Sequence, residues 1–165
     1  MIKVAKITIF LILIVFLAGC GKKTVSIPSS GRILNSAAYS VTERSVVNVA
    51  RAQIGKPYKW GGDSPLKGFD CSGLVWWVYK KHGILLPRVS WQQIHVGKPV
   101  HRNKMRAGDI VFFRIPGGGK SLHAGIYIGD GELFVHSPKS GHYVREESIN
   151  KGYWQKYFIG ARRVF

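Results

Sequence analysis

The chain divides into an apolar N-terminal run, a polar stretch, and a longer region in which helix-type spacing gives way to strand-type spacing. Residues 7–17 are apolar except for Thr8, whereas residues 21–39 are rich in Ser, Pro and Gly and show little apolar periodicity. This polar stretch predicts a flexible tether. Residues 40–165 are enough for one compact domain.

Helical periodicity dominates the first half of this domain. A capping box at Ser40 and Glu43 precedes a first amphipathic helix, whose apolar positions are Val46, Val47, Ala50 and Ile54. Asp70 is a good N-cap for a second, mostly buried helix that opens with Cys71 and ends near Lys80, Lys81 and Gly83. Ser90 is predicted to cap a short third helix.

The second half is predicted to form strands, because short runs of β-forming residues alternate with Gly, Pro or Asn turns. The predicted strands cover residues 110–115, 122–128, 133–136, 143–145 and 158–164. Helices followed by a largely antiparallel sheet indicate an α+β fold.

The N-terminal run has the layout of a secretory signal peptide, because its apolar stretch is short and ends in small residues before Cys20. Residues 17–20, Leu-Ala-Gly-Cys, also resemble the lipobox of bacterial lipoproteins. We therefore predict a signal peptide over residues 1–19 and a lipidated Cys20 at the start of a tether, 20–39, which holds the domain to a membrane. The alternatives are an uncleaved anchor or a plain signal peptide with a chance Cys.

The charge is strongly basic, with 25 Lys and Arg against 8 Asp and Glu and a net charge of +17. Such an excess predicts an anionic partner, which could be nucleic acid, a phospholipid surface or an acidic wall polymer. Export places the domain in the cell envelope, facing the periplasm or cell wall, and so argues against nucleic acid. Because Gly21 rather than Asp follows Cys20, the outer membrane is favoured in a Gram-negative host.

Cys71 is the candidate nucleophile. At a helix N-terminus its thiol meets unpaired N–H groups and the positive end of the helix dipole, so we expect a pKa below that of a free thiol and fast alkylation near neutral pH. Gly73 would let backbone or substrate approach the first turn. Cys71 could instead be a buried core thiol, or form a disulfide with Cys20, which lipidation would prevent.

Two of the six His residues are linked by strand register. If Asp130-Gly131 forms a two-residue turn, Gly125 pairs with His136, and His123 becomes a diagonal neighbour of His136 at about 7–8 Å between Cα atoms. The opposite face then carries a clean apolar set, Ala124, Ile126, Ile128, Leu133 and Val135. Two His residues on an otherwise polar face suggest a base and a residue that orients it. Alternatively, both are merely exposed strand residues.

Six segments occur in a characteristic order between residues 46 and 165. They are PYKWGG at 57–62, DCSGLV at 70–75, LPR at 86–88, GDIVFF at 108–113, HAGIYIG at 123–129 and FVH at 134–136. Together they resemble the NlpC family of cell-wall cysteine peptidases, particularly its murein endopeptidase lipoproteins. The resemblance implies a papain-like fold, with N-terminal helices packed on a largely antiparallel sheet.

The same resemblance implies a role for each matching residue. Cys71 would be the nucleophile that forms a thioester, His123 the general base and acid, and His136 the third residue, which orients the imidazole. Candidates for contact with the oxyanion or substrate are Tyr58, Asp70, Ser72, Arg88 and Ser90. The implied substrate is the peptide part of peptidoglycan, the implied enzyme needs no metal or other cofactor, and we expect a monomer.

Two rival interpretations remain at this stage. Cys71, His123 and His136 have ligand types that suit zinc, although they lack the short paired spacing of common zinc motifs. A peptidoglycan-binding lipoprotein with the same fold and no activity is the other rival, against which the intact Cys, His and His set argues. The sequence leaves open whether the cleaved bond lies beside γ-D-glutamate or is the D-alanyl-diaminopimelate crosslink.

Overall fold

The helices precede the sheet, as the periodicity predicts, in a computed structural model that describes residues 43–117 and 122–165. All described residues belong to one compact unit. The predicted leader, Cys20, the tether and Ser40 lie outside the described residues. Within the described ranges, every helix is too short or too polar to cross a membrane.

Helix α1, residues 43–51 of the described part, buries Val46, Val47 and Ala50 as the spacing predicts. The prediction that Ile54 lies on the apolar face of this helix is wrong, because its side chain is 46% exposed. The helix ends at residue 51 and the chain then turns towards Gly55, whose φ of 86° lies in the left-handed region. Ile54 is therefore carried off the apolar face.

Helix α2 spans Cys71–Lys80, with Asp70 as the predicted N-cap. A short helix α3 spans Ser90–Gln93. The prediction that Ser90 caps α3 is wrong, because Val89 occupies the N-cap position and makes no side-chain bond there. The Ser90 hydroxyl instead donates a hydrogen bond to the carbonyl oxygen of Leu122 at 2.5 Å, and so ties α3 to the sheet.

The sheet has six antiparallel strands in the order β3-β8-β4-β5-β6-β7. In chain order these are β3 (Lys98–Val100), β4 (Ile110–Arg114), β5 (Leu122–Tyr127), β6 (Leu133–His136), β7 (Arg145–Ser148) and β8 (Phe158–Arg163). A separate pair, β1 (Asp63–Ser64) and β2 (Gly68–Phe69), precedes α2. The α+β fold class is thus confirmed.

Several elements differ from the sequence prediction. Strands β1, β2 and β3 and the helix α4 (Gly152–Tyr157) were not predicted, since the strands are only two or three residues long and β3 contains a proline. The strand predicted at 143–145 begins later, at Arg145, because Tyr143 forms only an isolated bridge with Pro57.

The register of the β5–β6 hairpin is as predicted, with Ile126 opposite Val135 and Tyr127 opposite Phe134. The turn is not the expected two-residue turn. Residues 130–132 form a 3-10 turn with left-handed φ values at Gly131 and Glu132, and the N–H of Ile149 donates to the carbonyl of Glu132. Contacts from outside the hairpin therefore shape the turn without changing the register.

Each face of the sheet carries its own core. The predicted apolar set packs with α1 and α2 on one face. On the other face a second cluster surrounds Phe113 and Phe134, with Trp154 of α4 packed against it. The expectation of an otherwise polar face is therefore wrong, because α4 covers it. His123 and His136 are 4% and 0% exposed, so they are not exposed strand residues either.

Candidate active site

The N-terminus of α2, where Cys71 lies, is held by a polar network centred on Asp70. The Asp70 carboxylate accepts hydrogen bonds from the N–H of Gly73 at 2.7 Å and of Gly61 at 2.9 Å. Its two oxygens also accept from the two terminal nitrogens of Arg88, both at 2.9 Å. This bidentate ion pair and the cap fix the first helical turn in one position.

Gly73 is required by the close packing of this network. A Cβ atom at position 73 would lie 2.0 Å from the carbonyl oxygen of Gly62 and 2.8 Å from a guanidinium nitrogen of Arg88. The same Arg88 nitrogen donates to that carbonyl at 2.9 Å. The expectation that Gly73 admits a close backbone approach is confirmed, and the backbone is that of the turn preceding β1.

The predicted site residues line one cavity of about 310 Å³, except for His136, which lies behind His123. They are Tyr58, Asp70, Cys71, Ser72, Arg88, Ser90 and His123, and the rim also includes Trp60 and Trp91. The side chains of Asp70, Ser72 and Arg88 bond mainly to one another. These three therefore brace the site, and their carboxylate, hydroxyl and guanidinium groups are already engaged.

Tyr58 has its phenol beside the thiol. Burial raises the pKa of Tyr58, and the neighbouring Cys71 and Asp70 raise it further. The phenol therefore remains protonated at neutral pH. It can donate a hydrogen bond to a group in the cavity, which fits the expected contact with an oxyanion or substrate.

Among the described residues the Cys71 thiol has no disulfide partner, and it lies over the start of β5. Its Sγ atom is 4.0 Å from the carbonyl oxygen of Leu122. Burial raises the pKa of the thiol to about 11, and Asp70 adds to this effect, while the N–H groups of Ala124, Ser72 and Cys71 itself lower it. This direction is opposite to the low pKa that the helix end predicts, because the partial burial of the thiol outweighs the N–H groups there.

His123 and His136 are directly bonded, with 2.8 Å between His123 Nε2 and His136 Nδ1. His123 also lines the cavity that contains Cys71, and its Nδ1 takes no part in the bond with His136. Burial lowers the pKa of His123 well below its usual value, and His136 lowers it further. Burial also lowers the pKa of His136, against the opposing effect of Glu147. Both rings are neutral at neutral pH.

Two residues of this site were missed by sequence reasoning. Trp154 packs its ring 4.9 Å from His123 and 4.8 Å from His136, measured between centroids, and its indole N–H donates to the carboxylate of Glu147. Oε1 of Glu147 lies 3.6 Å from Nε2 of His136. The signal was the pairing of β6 with β7, which sets Glu147 opposite Phe134, on the same face as His136.

A second cavity of about 530 Å³ continues past His123 and shares Tyr58, Ile115, His123 and Pro138 with the first. Lys139 lines it together with the ion pair of Arg145 and Glu147, while Tyr153 and Trp154 give it an aromatic side. The two cavities form an extended cleft around His123. An extended chain fits such a cleft.

The geometry bears on the zinc alternative. In the part of the chain that the structure describes, no three His, Cys, Asp or Glu side chains are grouped so that they could hold a metal ion. His123 Nε2 and His136 Nδ1 face each other at hydrogen-bond distance, so these two nitrogens are occupied by each other. The arrangement can support proton transfer between a thiol and an imidazole.

A cysteine at the N-terminus of a helix, packed against an antiparallel sheet that carries the imidazole, is the arrangement of papain-like cysteine peptidases. The model of the NlpC/P60 family matches residues 55–163. The chain belongs to this family, and the papain-like fold is confirmed.

The relatives that resemble the chain include two named cell-wall enzymes. It is 45% identical over 121 residues to murein DD-endopeptidase MepH of Escherichia coli, covering 72% of this chain and 44% of the relative. It is 40% identical over 121 residues to the bifunctional muramidase/DL-endopeptidase CwlT of Bacillus subtilis, covering 73% and 36%. The chain thus spans half or less of the length of these two relatives.

A solved structure supports the same assignment. The crystal structure of an NlpC/P60 family protein from Bacillus cereus superposes with a TM-score of 0.68 and is 37% identical in sequence. The match covers 73% of this chain and 39% of that one. More than half of that longer chain therefore lies outside the shared part.

Proposed function

We propose that this chain hydrolyses peptide bonds of peptidoglycan, with Cys71 as nucleophile, His123 as general base and acid, and His136 as the residue that orients His123. The bond between His123 Nε2 and His136 Nδ1 carries the proposal, because it leaves Nδ1 of His123 available to a thiol in the same cavity. The names of the relatives, a DD-endopeptidase and a DL-endopeptidase, support peptidoglycan as the substrate class.

The reaction begins with a neutral thiol and a neutral imidazole. The Cys71 proton passes to Nδ1 of His123 as sulfur attacks the peptide carbonyl carbon, and N–H groups near Cys71 stabilise the oxyanion. The C–N bond then breaks, and the leaving amine takes the proton from His123, which leaves a thioester. Water attacks the thioester while His123 accepts a proton. That proton returns to sulfur as a carboxylate is released.

The test is digestion of purified peptidoglycan by the chain lacking residues 1–20, followed by mass analysis of the released fragments. The Cys71→Ala variant is the matched control. Wild type is expected to release fragments with new amino and carboxyl termini, and the position of those termini identifies the bond. Tight binding to peptidoglycan without any cleavage would overturn the proposal in favour of a noncatalytic binding lipoprotein.

We propose further that Cys20 is lipidated after removal of residues 1–19 and anchors the chain in the cell envelope, on the outer membrane in a Gram-negative host. Support comes from residues 17–20 alone. Cys20→Ser is expected to abolish lipid labelling and to leave an unprocessed precursor, whereas Cys71→Ser should be labelled like wild type. Unchanged membrane association and gel mobility of the Cys20→Ser variant would indicate an uncleaved anchor instead.

A further inference from the structure

Glu147 has a partly buried carboxylate that takes no part in the proposed reaction. It lies on β7, with its side chain about one quarter exposed, and accepts hydrogen bonds from the indole N–H of Trp154 and from Nε of Arg145, the latter at 2.5 Å. Its Oε1 faces Nε2 of His136 at 3.6 Å. The side chain of His136 lowers the pKa of Glu147 to about 2, against the opposing effect of burial, and the Trp154 and Arg145 donors lower it further. The carboxylate is therefore ionised at neutral pH.

The facing nitrogen of His136 is fully enclosed. Nε2 has no hydrogen-bond partner among the described residues, and the ring is 0% exposed. A lone pair on this nitrogen would point at a carboxylate oxygen and be repelled, whereas a proton on it would be attracted. The fixed charge of Glu147 therefore favours the tautomer of His136 that carries its proton on Nε2.

The tautomer of His136 determines the tautomer of His123, because the two rings share a hydrogen bond. With its proton on Nε2, His136 offers Nδ1 as an acceptor, so His123 must donate its own proton from Nε2 across the 2.8 Å contact. His123 then has a lone pair on Nδ1. In the reverse pair of tautomers His136 would donate from Nδ1, and the proton of a neutral His123 would sit on Nδ1, where it could not accept one from a thiol.

We propose that Glu147 is a positioning residue that fixes the tautomers of His136 and His123, so that His123 presents an unprotonated Nδ1 to Cys71. Trp154 completes the device by covering both rings while its indole N–H holds the carboxylate. The proposal rests on the proposed function for its catalytic consequence. The tautomers themselves are a property of the folded chain whether or not it cleaves peptidoglycan.

The test uses the full chain in detergent and reads the ring nitrogens by ¹⁵N NMR, with signals assigned through His123→Gln and His136→Gln. Wild type at pH 7 is expected to show both rings protonated on Nε2. In Glu147→Gln, which removes the charge at nearly constant size, His123 is expected to populate the Nδ1-protonated form. The kcat of Glu147→Gln should fall by about 10-fold or more at unchanged KM, because a His123 that is protonated on Nδ1 cannot accept the thiol proton, and this slows turnover. Glu147→Asp should recover part of kcat.

The matched control is Glu146→Gln, because Glu146 is the adjacent residue of the same strand and pairs instead with Arg51 at 2.8 Å. This variant should keep the wild-type tautomers and kcat. A wild-type His123 protonated on Nδ1, or a Glu147→Gln variant with wild-type tautomers, would overturn the proposal. Absence of cleavage by wild type would overturn the proposed function alone, since the NMR measurement still decides the role of Glu147.

Discussion

The nucleophile and the base are held by two regions of opposite character. We call the polar contacts of Asp70, Arg88 and Gly62 the helix-end network. We call the packing of His123, His136, Trp154 and Glu147 the imidazole stack. In the helix-end network every partner lies within residues 61–88 and meets at normal hydrogen-bond distances. The imidazole stack joins three strands and a helix, and one buried ring nitrogen lacks a direct partner.

The two regions control different properties, namely the position of Cys71 and the protonation of His123. The helix-end network fixes the backbone that carries Cys71, because caps and ion pairs act on main-chain position. The imidazole stack fixes proton positions, because ring orientation and a nearby charge select among tautomers of equal shape. Position of the sulfur and protonation of the base are thus set independently.

The largest expected effect comes from breaking the stack at His123. His123→Ala should lower turnover of peptidoglycan by about 10² to 10⁴, as does loss of a general base elsewhere, and only Cys71→Ala should cost as much. His136→Ala should retain some activity because a base still faces the thiol. The double His variant should be scarcely worse than His123→Ala. Independent losses that multiply, or a wild-type rate for His136→Ala, would show that the rings do not act as one unit.

A second expectation separates burial of the thiol from its position at the helix end. With a thiol pKa of about 11 against a reference of 9.0, the thiolate fraction at pH 7 is about 10⁻⁴ instead of about 10⁻². Because a thiolate of higher pKa is the stronger nucleophile, part of this loss is offset, and iodoacetamide should alkylate Cys71 about 10-fold more slowly than a reference thiol at pH 7, with a rate that climbs until about pH 11. The Cys20→Ser chain isolates Cys71. A fast, pH-independent rate near neutrality would mean that the helix end dominates.

Breaking the helix-end network should show in stability. Asp70→Ala removes the N-cap and leaves Arg88 without its carboxylate, which we expect to cost about 2 kcal/mol. Because Arg88 is about one third exposed, solvent limits the ion-pair share. Urea unfolding measures the loss. Asp63→Ala is the control, since Asp63 forms only a surface pair with the largely exposed Lys67. Equal stability of the two variants would contradict a structural role for Asp70.

The smallest effect should be a gradual loss of stability as the pH falls, caused by the two His residues of the imidazole stack. The pKa values of His123 and His136 are lowered by burial, so the stabilisation is complete above their ordinary value of about 6.5 and declines as pH falls towards the folded values. Urea midpoints at pH 7 and pH 5 should differ less in His136→Asn than in wild type. Replacement of the exposed His101 should leave the difference unchanged. A wild-type midpoint that does not move between these pH values would contradict the prediction.

Local patterns were enough for the helix-end network. Asp70 before an apolar run predicts the cap, Cys71 follows in the first turn, and Gly73 signals a close approach. Alternation along β5 and β6 was also enough for the register that joins His123 to His136. Local patterns failed for α4, because the helix is only six residues long, has no side-chain cap, and contributes only partly buried side chains to the core.

By itself, the sequence determined the α+β order, the helix that carries Cys71, and the pairing of the two His residues, because caps and period-two alternation act between near neighbours. Only the tertiary structure decided that the sheet has a second buried face, that Trp154 and Glu147 complete the imidazole stack, and that the pKa of the thiol rises. Each of these depends on what covers a group after folding. The burial of a group and the charge around it depend on residues that are far apart in the chain, so a local sequence pattern cannot predict them.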